Sequence, residues 1–389
     1  MFISETGGHY INVLCRPTAT TKSMEEDLNL LIFHDSFDVF GGGERVAATI
    51  AEAFDATIAT TNVDPEVIHE LGLKSDSIYD LGRISEGAPL GPIKTSLAFR
   101  RAHFEGFDHY VVSGFWSLYA SFRHKPSLFY CHTPRRDFYD LKAYNIARQS
   151  NAIKKIVAWC WVTGHSWFDK RAVSQVDKIV TNSENVRTRI KRYYGRESEV
   201  VYPPVTTSRY YSKGYGDFWL SVNRLYPEKR VDLQIEAFRR LNDEKLIIAG
   251  GFSARDKSLQ RYHKQFADLP HNVEIIGRIT EKELLELYAT CKGVLYTPID
   301  EDFGLVPVEA QASGKAVVGV DEGGLRETVL NGETGLLVAP TAQSIGNAVE
   351  SISDNPKRFE NACKRNALRF DKAIFVDRMR QNLLRETVS

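Results

Sequence analysis

The chain has 389 residues, of which 26% are charged, with 50 basic side chains against 50 acidic ones. That length predicts two domains with a core each, and the zero balance argues against a general nucleic-acid binder, leaving only local basic patches. Five cysteines, at 15, 131, 160, 291 and 363, form no C-x-x-C pair and no zinc spacing, so a reduced, cytosolic protein is expected, and no run of about eighteen apolar residues could span a bilayer.

Residues 1–23 carry no long apolar run and no clear cleavage site, which argues against a secretory signal, and 1–27 read as a poorly ordered extension. A buried strand then begins at Leu28-Asn29-Leu30-Leu31-Ile32-Phe33 and is expected to end at His34. Gly41-Gly42-Gly43-Glu44-Arg45 follows and leads into the helical run Val46–Ala51. Strand, glycine loop and helix make the anion-binding opening of a Rossmann-like unit. Val46 stands where the dinucleotide fingerprint needs a small residue, which argues against a nicotinamide enzyme.

Further strands at 56–60, 109–112 and 127–130, with helices between them, predict a parallel, doubly wound sheet, whose ligands bind at the carboxyl ends of its strands. Cys131-His132-Thr133-Pro134-Arg135-Arg136 sits at such an end, with Phe138-Tyr139-Asp140 close behind. Residues 145–168 mix basic and aromatic side chains: Arg148, Lys154, Lys155, Trp159, Trp161, Trp167 and Phe168. Two readings stand for them, a helix packed into the first domain's core or an interfacial helix on an anionic membrane. Val176–Ser183 reads as strand and turn, with Ser183 placed to cap a helix Glu184–Tyr194. Pro203 and Pro204 then fix an extended segment, and the domain boundary is expected near residue 206.

The second half restarts the pattern at Phe218–Val222. Arg224 and Lys229 leave that strand's end, where an arginine could grip a phosphate bidentately and a lysine could add a point charge. Strands are expected at Leu246–Gly251 and Val273–Arg278, a helix at Glu281–Cys291, and a strand from Gly293 that delivers the chain to Glu301. Gly304 turns that loop into a helix, Pro307 suits the first turn and Gly314 closes it. Free backbone N–H groups and the helix dipole make a seat for a phosphate there. Glu301 and Glu309, on either side of that seat, can accept hydrogen bonds from hydroxyl groups. A diphosphate flanked by two polyols fits, which describes a nucleotide sugar. Phe370–Leu384 reads as a final helix with Phe375, Met379 and Leu383 on one stripe.

The spacing Glu301-x7-Glu309, with Phe303-Gly304-Leu305 inside it, resembles the donor-site signature of retaining glycosyltransferases of family 4. Gly41-Gly42-Gly43, His132-Thr133-Pro134, Arg224 with Lys229, and Gly323-Gly324 stand in that family's order, so the resemblance covers residues 28–385. It implies the α/β GT-B fold, two Rossmann-like doubly wound domains facing across a cleft. Residues 28–205 would form the acceptor-side domain, 206–370 the nucleotide-sugar-binding domain, and 371–389 a helix crossing back to the first.

By the same resemblance His132, Arg224, Lys229 and Glu301 are catalytic, with His132 reaching the transferred sugar. Gly43, Gly277, Arg278, Phe303, Gly304, Leu305 and Glu309 bind the donor, and Gly41, Gly42 and Arg136 lie on the acceptor side. The His-Thr-Pro-x-Arg segment is most similar to mannosyltransferase-like members, which favours GDP-mannose over UDP-sugars and a glycan or polyprenyl-linked acceptor. Localisation is expected to be cytoplasmic, peripheral on the inner face of a membrane, and no nucleic-acid partner or cofactor beyond the nucleotide sugar is expected. Asp300-Glu301-Asp302 spells a metal-binding Asp-x-Asp, but its middle residue is the motif glutamate and the nearby cations make Mg²⁺ unnecessary, so no metal is expected. A nucleotide-sugar 2-epimerase-like isomerase and a non-catalytic binding subunit are the alternatives; intact His132, Arg224, Lys229 and Glu301 argue against the second.

Overall fold

The structure, a computed structural model, describes residues 28–85, 87, 90–147, 149–251, 266 and 268–385. The expected extension at 1–27 and Arg148 lie outside the described residues. The chain divides into two compact units. Unit 1 comprises the described residues of Met1–Thr181 together with Arg189–Glu199 and Arg380–Ser389; unit 2 comprises Asn182–Thr188 and Val200–Met379. The single break expected near 206 is thus replaced by several crossings. Asn182–Thr188 sits in unit 2 because Ser183 donates to the Asp302 carbonyl at 2.6 Å and the Glu327 carboxylate accepts the Glu184 and Asn185 N–H groups at 2.8 and 2.9 Å.

Unit 1 is built on seven strands: β1 (Leu30–Phe37), β2 (Thr57–Val63), β3 (Ile78–Asp80), β4 (His109–Ser113), β5 (Ser127–Cys131), β6 (Lys178–Thr181) and β7 (Glu199–Val200). They lie in the order β3-β2-β1-β4-β5-β6-β7. Leu30, Leu31, Ile32 and Phe33 are buried on both faces, as a central parallel strand requires. β1 does not stop at His34. After a register shift Ser36 and Phe37 still pair with Thr61 and Val63 of β2.

Unit 2 holds six parallel strands: β8 (Phe218–Val222), β9 (Lys245–Ala249), β10 (Val273–Gly277), β11 (Gly293–Tyr296), β12 (Val317–Val320) and β13 (Gly335–Val338). Their order is β10-β9-β8-β11-β12-β13. Trp219 on β8 is fully buried with Phe238, Ile345, Val349 and Ile352 on one sheet face, each such side chain contributing about 2–3 kcal/mol of burial. Gly293 is small because a Cβ there would lie 2.7 Å from the Trp219 ring.

In each sheet the strand order reverses once, between β1 and β4 in unit 1 and between β8 and β11 in unit 2. Loops leaving the carboxyl ends of two such strands diverge and open a crevice for a ligand. The residues that follow β8 and β11 are Asn223–Arg230 and Thr297–Gly304, the two stretches in which the sequence placed its cation pair and its first glutamate.

Candidate active site

In unit 2 these loops meet through one ion pair. Lys229 Nζ lies 2.5 Å from Glu301 Oε2 and 3.3 Å from the Tyr296 hydroxyl oxygen. Burial works against the ammonium, but the Tyr296 hydroxyl and the Glu301 carboxylate outweigh it and hold the Lys229 pKa above the ordinary lysine value. Arg224, on the same loop, is exposed.

A buried relay fixes the loop's backbone. Asn223 Nδ2 donates to Ser221 Oγ at 2.6 Å, Ser221 Oγ to Gln234 Oε1 at 2.6 Å, and Gln234 Nε2 to Thr297 Oγ1 at 2.8 Å, whose hydroxyl reaches the Lys229 carbonyl at 3.2 Å. A second brace runs beside it. Arg230, in the left-handed region at φ 50, grips Glu322 through two bonds of 3.0 and 3.1 Å, and Glu322 Oε2 accepts the Asp300 N–H at 3.2 Å. The residues next to Lys229 and next to Glu301 are thereby tied together.

Gly323 and Gly324 allow the Glu301 loop to lie flat against them. A Cβ on Gly323 would stand 2.5 Å from the Glu301 carbonyl oxygen, and one on Gly324 the same distance from that of Asp302, while Gly324 N–H donates to the Glu301 carbonyl at 2.8 Å. Asn185 Nδ2 bonds that carbonyl too, at 2.9 Å. The helix Leu305–Ala312 then starts at Gly304, φ 90, with no side-chain cap, so its first amides point toward the loop that carries Glu301.

Glu309 is buried in that helix, and its Oε2 accepts from the Tyr288 hydroxyl at 2.9 Å. Gly277 ends β10 at φ 75 with its carbonyl bound by the Gly250 N–H at 2.7 Å, and Arg278 after it is exposed. The Phe303 ring is buried 5.6 Å from Tyr202 and 5.4 Å from Phe370, which leaves its backbone as the part that faces the loop.

In unit 1, Gly41 caps the helix Gly42–Phe54 without a side-chain hydrogen bond. A Cβ on Gly43 would stand 3.6 Å from His132 Nε2 and 3.8 Å from His34 Cε1, so the glycine loop packs against both imidazoles. His132 Nε2 lies 2.9 Å from Ser113 Oγ. Burial pulls the His132 pKa down to about 4, helped by His34 and opposed by Glu44, so the ring is neutral at physiological pH. Across the strand reversal, both Asp35 oxygens are taken by the N–H groups of Phe115, Trp116 and Ser117 at 2.8, 2.9 and 2.7 Å, an approach that a side chain at Gly114 would block. Arg136 Nε donates to Asp140 at 2.8 Å.

The Asn145–Phe168 stretch divides between a short helix Lys142–Ala147 and a long one, Ala152–Val173. Val162, Asp169, Ala172 and Val173 of the long helix are buried, but Ile153 is 74% exposed, Ile156 64%, Val157 62% and Trp167 60%. Burial in the core therefore accounts for its inner face and its last turns, not for this apolar surface. No helix among the described residues is long and apolar enough to cross a membrane. Nor do those residues hold a cluster of three or more His, Cys, Asp or Glu side chains placed for a metal.

Residues 40–209 match the family described as Glycosyltransferase Family 4, and residues 212–370 match Glycosyl transferases group 1. The chain belongs to glycosyltransferase family 4. This family 4 chain is 27% identical over 264 residues to the human alpha-1,3/1,6-mannosyltransferase ALG2 and 25% identical to the mouse protein, in each case across 60% of its own length. It spans 61% of the length of those relatives. Its fold is that of Anabaena HepE in complex with UDP-glucose, with a TM-score of 0.72, 18% identity, and coverage of 91% of this chain and 99% of that one. Sucrose-phosphate synthase from Thermosynechococcus elongatus gives 0.71 at 17% identity, covering 91% and 98%.

Within the family 4 chain the structure brings Lys229 and Glu301 together in unit 2 and His132 and Gly43 together in unit 1. Sequence reasoning missed Tyr296, Arg230, Glu322, Asn185, Asp35 and Ser113. Arg230 and Glu322 were legible only as charges beside known motifs, and nothing local signalled the partners of Asn185 or Asp35.

Proposed function

We propose that the chain transfers a hexose, mannose, from a nucleotide sugar to a glycan or lipid-linked acceptor with retention of configuration, and that GDP-mannose is preferred to UDP-sugars. The observation that carries this is the Lys229–Glu301 pair beside the uncapped helix at Gly304, in a chain whose curated relatives include alpha-1,3/1,6-mannosyltransferases. As the sugar–phosphate bond breaks, charge grows on the leaving diphosphate. Arg224, Lys229 and the amides at the start of the helix Leu305–Ala312 can stabilise it without a metal. Glu301 and Glu309 supply acceptors for sugar and ribose hydroxyls. No protein nucleophile is assigned, and retention follows from attack on the face the leaving group vacates.

The test is product analysis with GDP-mannose and UDP-glucose, with and without a polyprenyl-diphosphate glycan acceptor, and with EDTA. Acceptor-dependent transfer from GDP-mannose that survives EDTA is expected. A nucleotide-sugar isomer formed without acceptor would mark an isomerase, and loss restored by Mg²⁺ would overturn metal independence.

The exposed Ile153, Ile156, Val157 and Trp159, with Lys154 and Lys155 on the same helix, support a peripheral enzyme on the cytoplasmic face of an anionic membrane. Each basic residue near such a surface contributes about 1 kcal/mol. Wild type is expected to co-sediment with anionic liposomes at low salt and Lys154→Glu/Lys155→Glu to stay in the supernatant; a wild type that also stays there removes the membrane reading.

A further inference from the structure

Arg135, the residue inside the His-Thr-Pro-x-Arg segment to which no role falls, lies in an aromatic cradle. Its guanidinium carbon stands 4.4 Å from the Trp116 ring centroid, 4.8 Å from Phe138 and 5.7 Å from Phe115. Its one polar contact among the described residues is Asp137 Oδ2 at 3.7 Å, beyond hydrogen-bond reach. A guanidinium has five N–H donors, and stacking on aromatic faces satisfies none of them. The other carboxylates around it are engaged elsewhere: Asp35 by three backbone N–H groups, Asp169 by the Tyr139 hydroxyl at 2.6 Å, and Asp137 Oδ1 by Asn145. Burial is incomplete, with 25% of the side chain exposed, so a ligand can reach the fork.

We propose that Arg135 and its cradle of Phe115, Trp116 and Phe138 form a receptor for a phosphoryl group of the acceptor. Arginine presents two parallel N–H bonds to a phosphate, and rigid aromatic faces hold that fork in place. Phe115 and Trp116 follow β4 and Arg135 follows β5, so the receptor lies at the carboxyl ends of strands beside the reversal in unit 1. The cradle also touches the helix with the exposed apolar side chains: His165 of that helix lies 6.1 Å from Trp116 and 5.8 Å from Phe138. An acceptor whose sugar is joined to a lipid through diphosphate offers the chemistry that both features select. This inference rests on reading unit 1 as the acceptor side.

Inorganic diphosphate, followed by calorimetry, tests the site directly. Arg224→Ala/Lys229→Ala removes the cations of unit 2, and saturable binding is expected to remain in that variant. Adding Arg135→Gln, which keeps length without charge, is expected to weaken it by about tenfold or more, with Arg135→Lys intermediate. Binding that disappears with the unit 2 cations alone, or that survives Arg135→Gln, overturns the proposal. In transfer assays Arg135→Gln should raise the KM of a diphosphate-linked acceptor about tenfold and leave that of its phosphate-free alkyl glycoside within about twofold; equal effects on both would also overturn it. Co-sedimentation with anionic liposomes separates an acceptor phosphate from a bulk headgroup: it should be unchanged in Arg135→Gln, and its loss would assign Arg135 to the membrane surface instead. If diphosphate binds through Arg135 but no lipid-linked acceptor is glycosylated, the failure belongs to the proposed activity and the receptor stands.

Discussion

Lys229 and Glu301 leave two strands that are neighbours in the sheet but far apart in sequence, and they meet at 2.5 Å. Each therefore limits the other. The lysine holds the glutamate aimed at the loop, and the glutamate with the Tyr296 hydroxyl keeps the lysine pKa above its ordinary value. The Tyr296 hydroxyl, 3.3 Å from the same ammonium, holds the pair over the end of β11.

Arg224→Ala and Lys229→Ala are expected to lower turnover more than donor affinity, because their charge complements what develops as the bond breaks. The loss for each is on the order of 3 kcal/mol of transition-state stabilisation. The raised pKa of Lys229 adds a sign: its charge persists until pH rises through an alkaline folded value, so kcat should show no basic limb from this residue below about pH 10. Steady-state kinetics from pH 6 to 10 decide it, and variants within about twofold of wild type would remove the clamp.

Glu309→Ala should chiefly raise the donor KM, whereas Glu301→Ala should lower kcat as well. Tyr288→Phe removes the bond that positions Glu309 and should cost about 1 kcal/mol of stability with a smaller rise in KM. Donor titrations of the three variants beside their thermal melts test the division, and the opposite pattern for the two glutamates would put the motif out of register.

Gly324→Ala should displace the Asp302 carbonyl and with it the Glu301 loop, lowering kcat while costing about 1–3 kcal/mol. Gly164→Ala is the contrasting case. Gly164 lies within the helix Ala152–Val173 with nothing within 4 Å of an added Cβ, so it should stabilise the protein by about 0.5–1 kcal/mol and leave turnover alone. Melting curves together with kcat separate the two outcomes.

Asp169 is pushed up to about 6 by burial, against the hydroxyls of Tyr139 and Tyr194. A folded pKa above the unfolded one means that this group favours folding at low pH and loses that contribution as pH rises through about 6. The rise from 3.8 to about 6 corresponds to about 3 kcal/mol. Asp169→Asn should therefore be gaining stability relative to wild type between pH 4 and pH 7.5, read as the difference in urea midpoints; a difference that is flat with pH counts against it.

Much of the fold was legible because continuous apolar runs such as Leu30–Phe33 and Leu246–Ala249 can only be buried strands, and their alternation with helices leaves little but a doubly wound sheet. The local part of the candidate site was legible for the same reason, since Gly304, Pro307 and Gly314 mark a helix by their own backbone preferences. Pairings were not. Arg230 finds Glu322 across 92 positions and Ser183 finds Asp302 across 119, and no periodicity encodes such a distance. Nor does a motif read locally show that Tyr202 and Phe370 close over the Phe303 ring. The helix Ala152–Val173 carries aromatic and aliphatic residues all round, so its pattern could not say which face stays outside.

The segment Asn182–Thr188 reaches unit 2 from a stretch of chain otherwise belonging to unit 1, and it brings the Ser183 hydroxyl and Asn185 amide that fasten the loop carrying Glu301. Excision is thereby constrained. A fragment begun at Val200 keeps Arg224, Lys229, Glu301 and Glu309 yet lacks two of the fastenings of the Glu301 loop. Unit 2 is not a module that one cut can release.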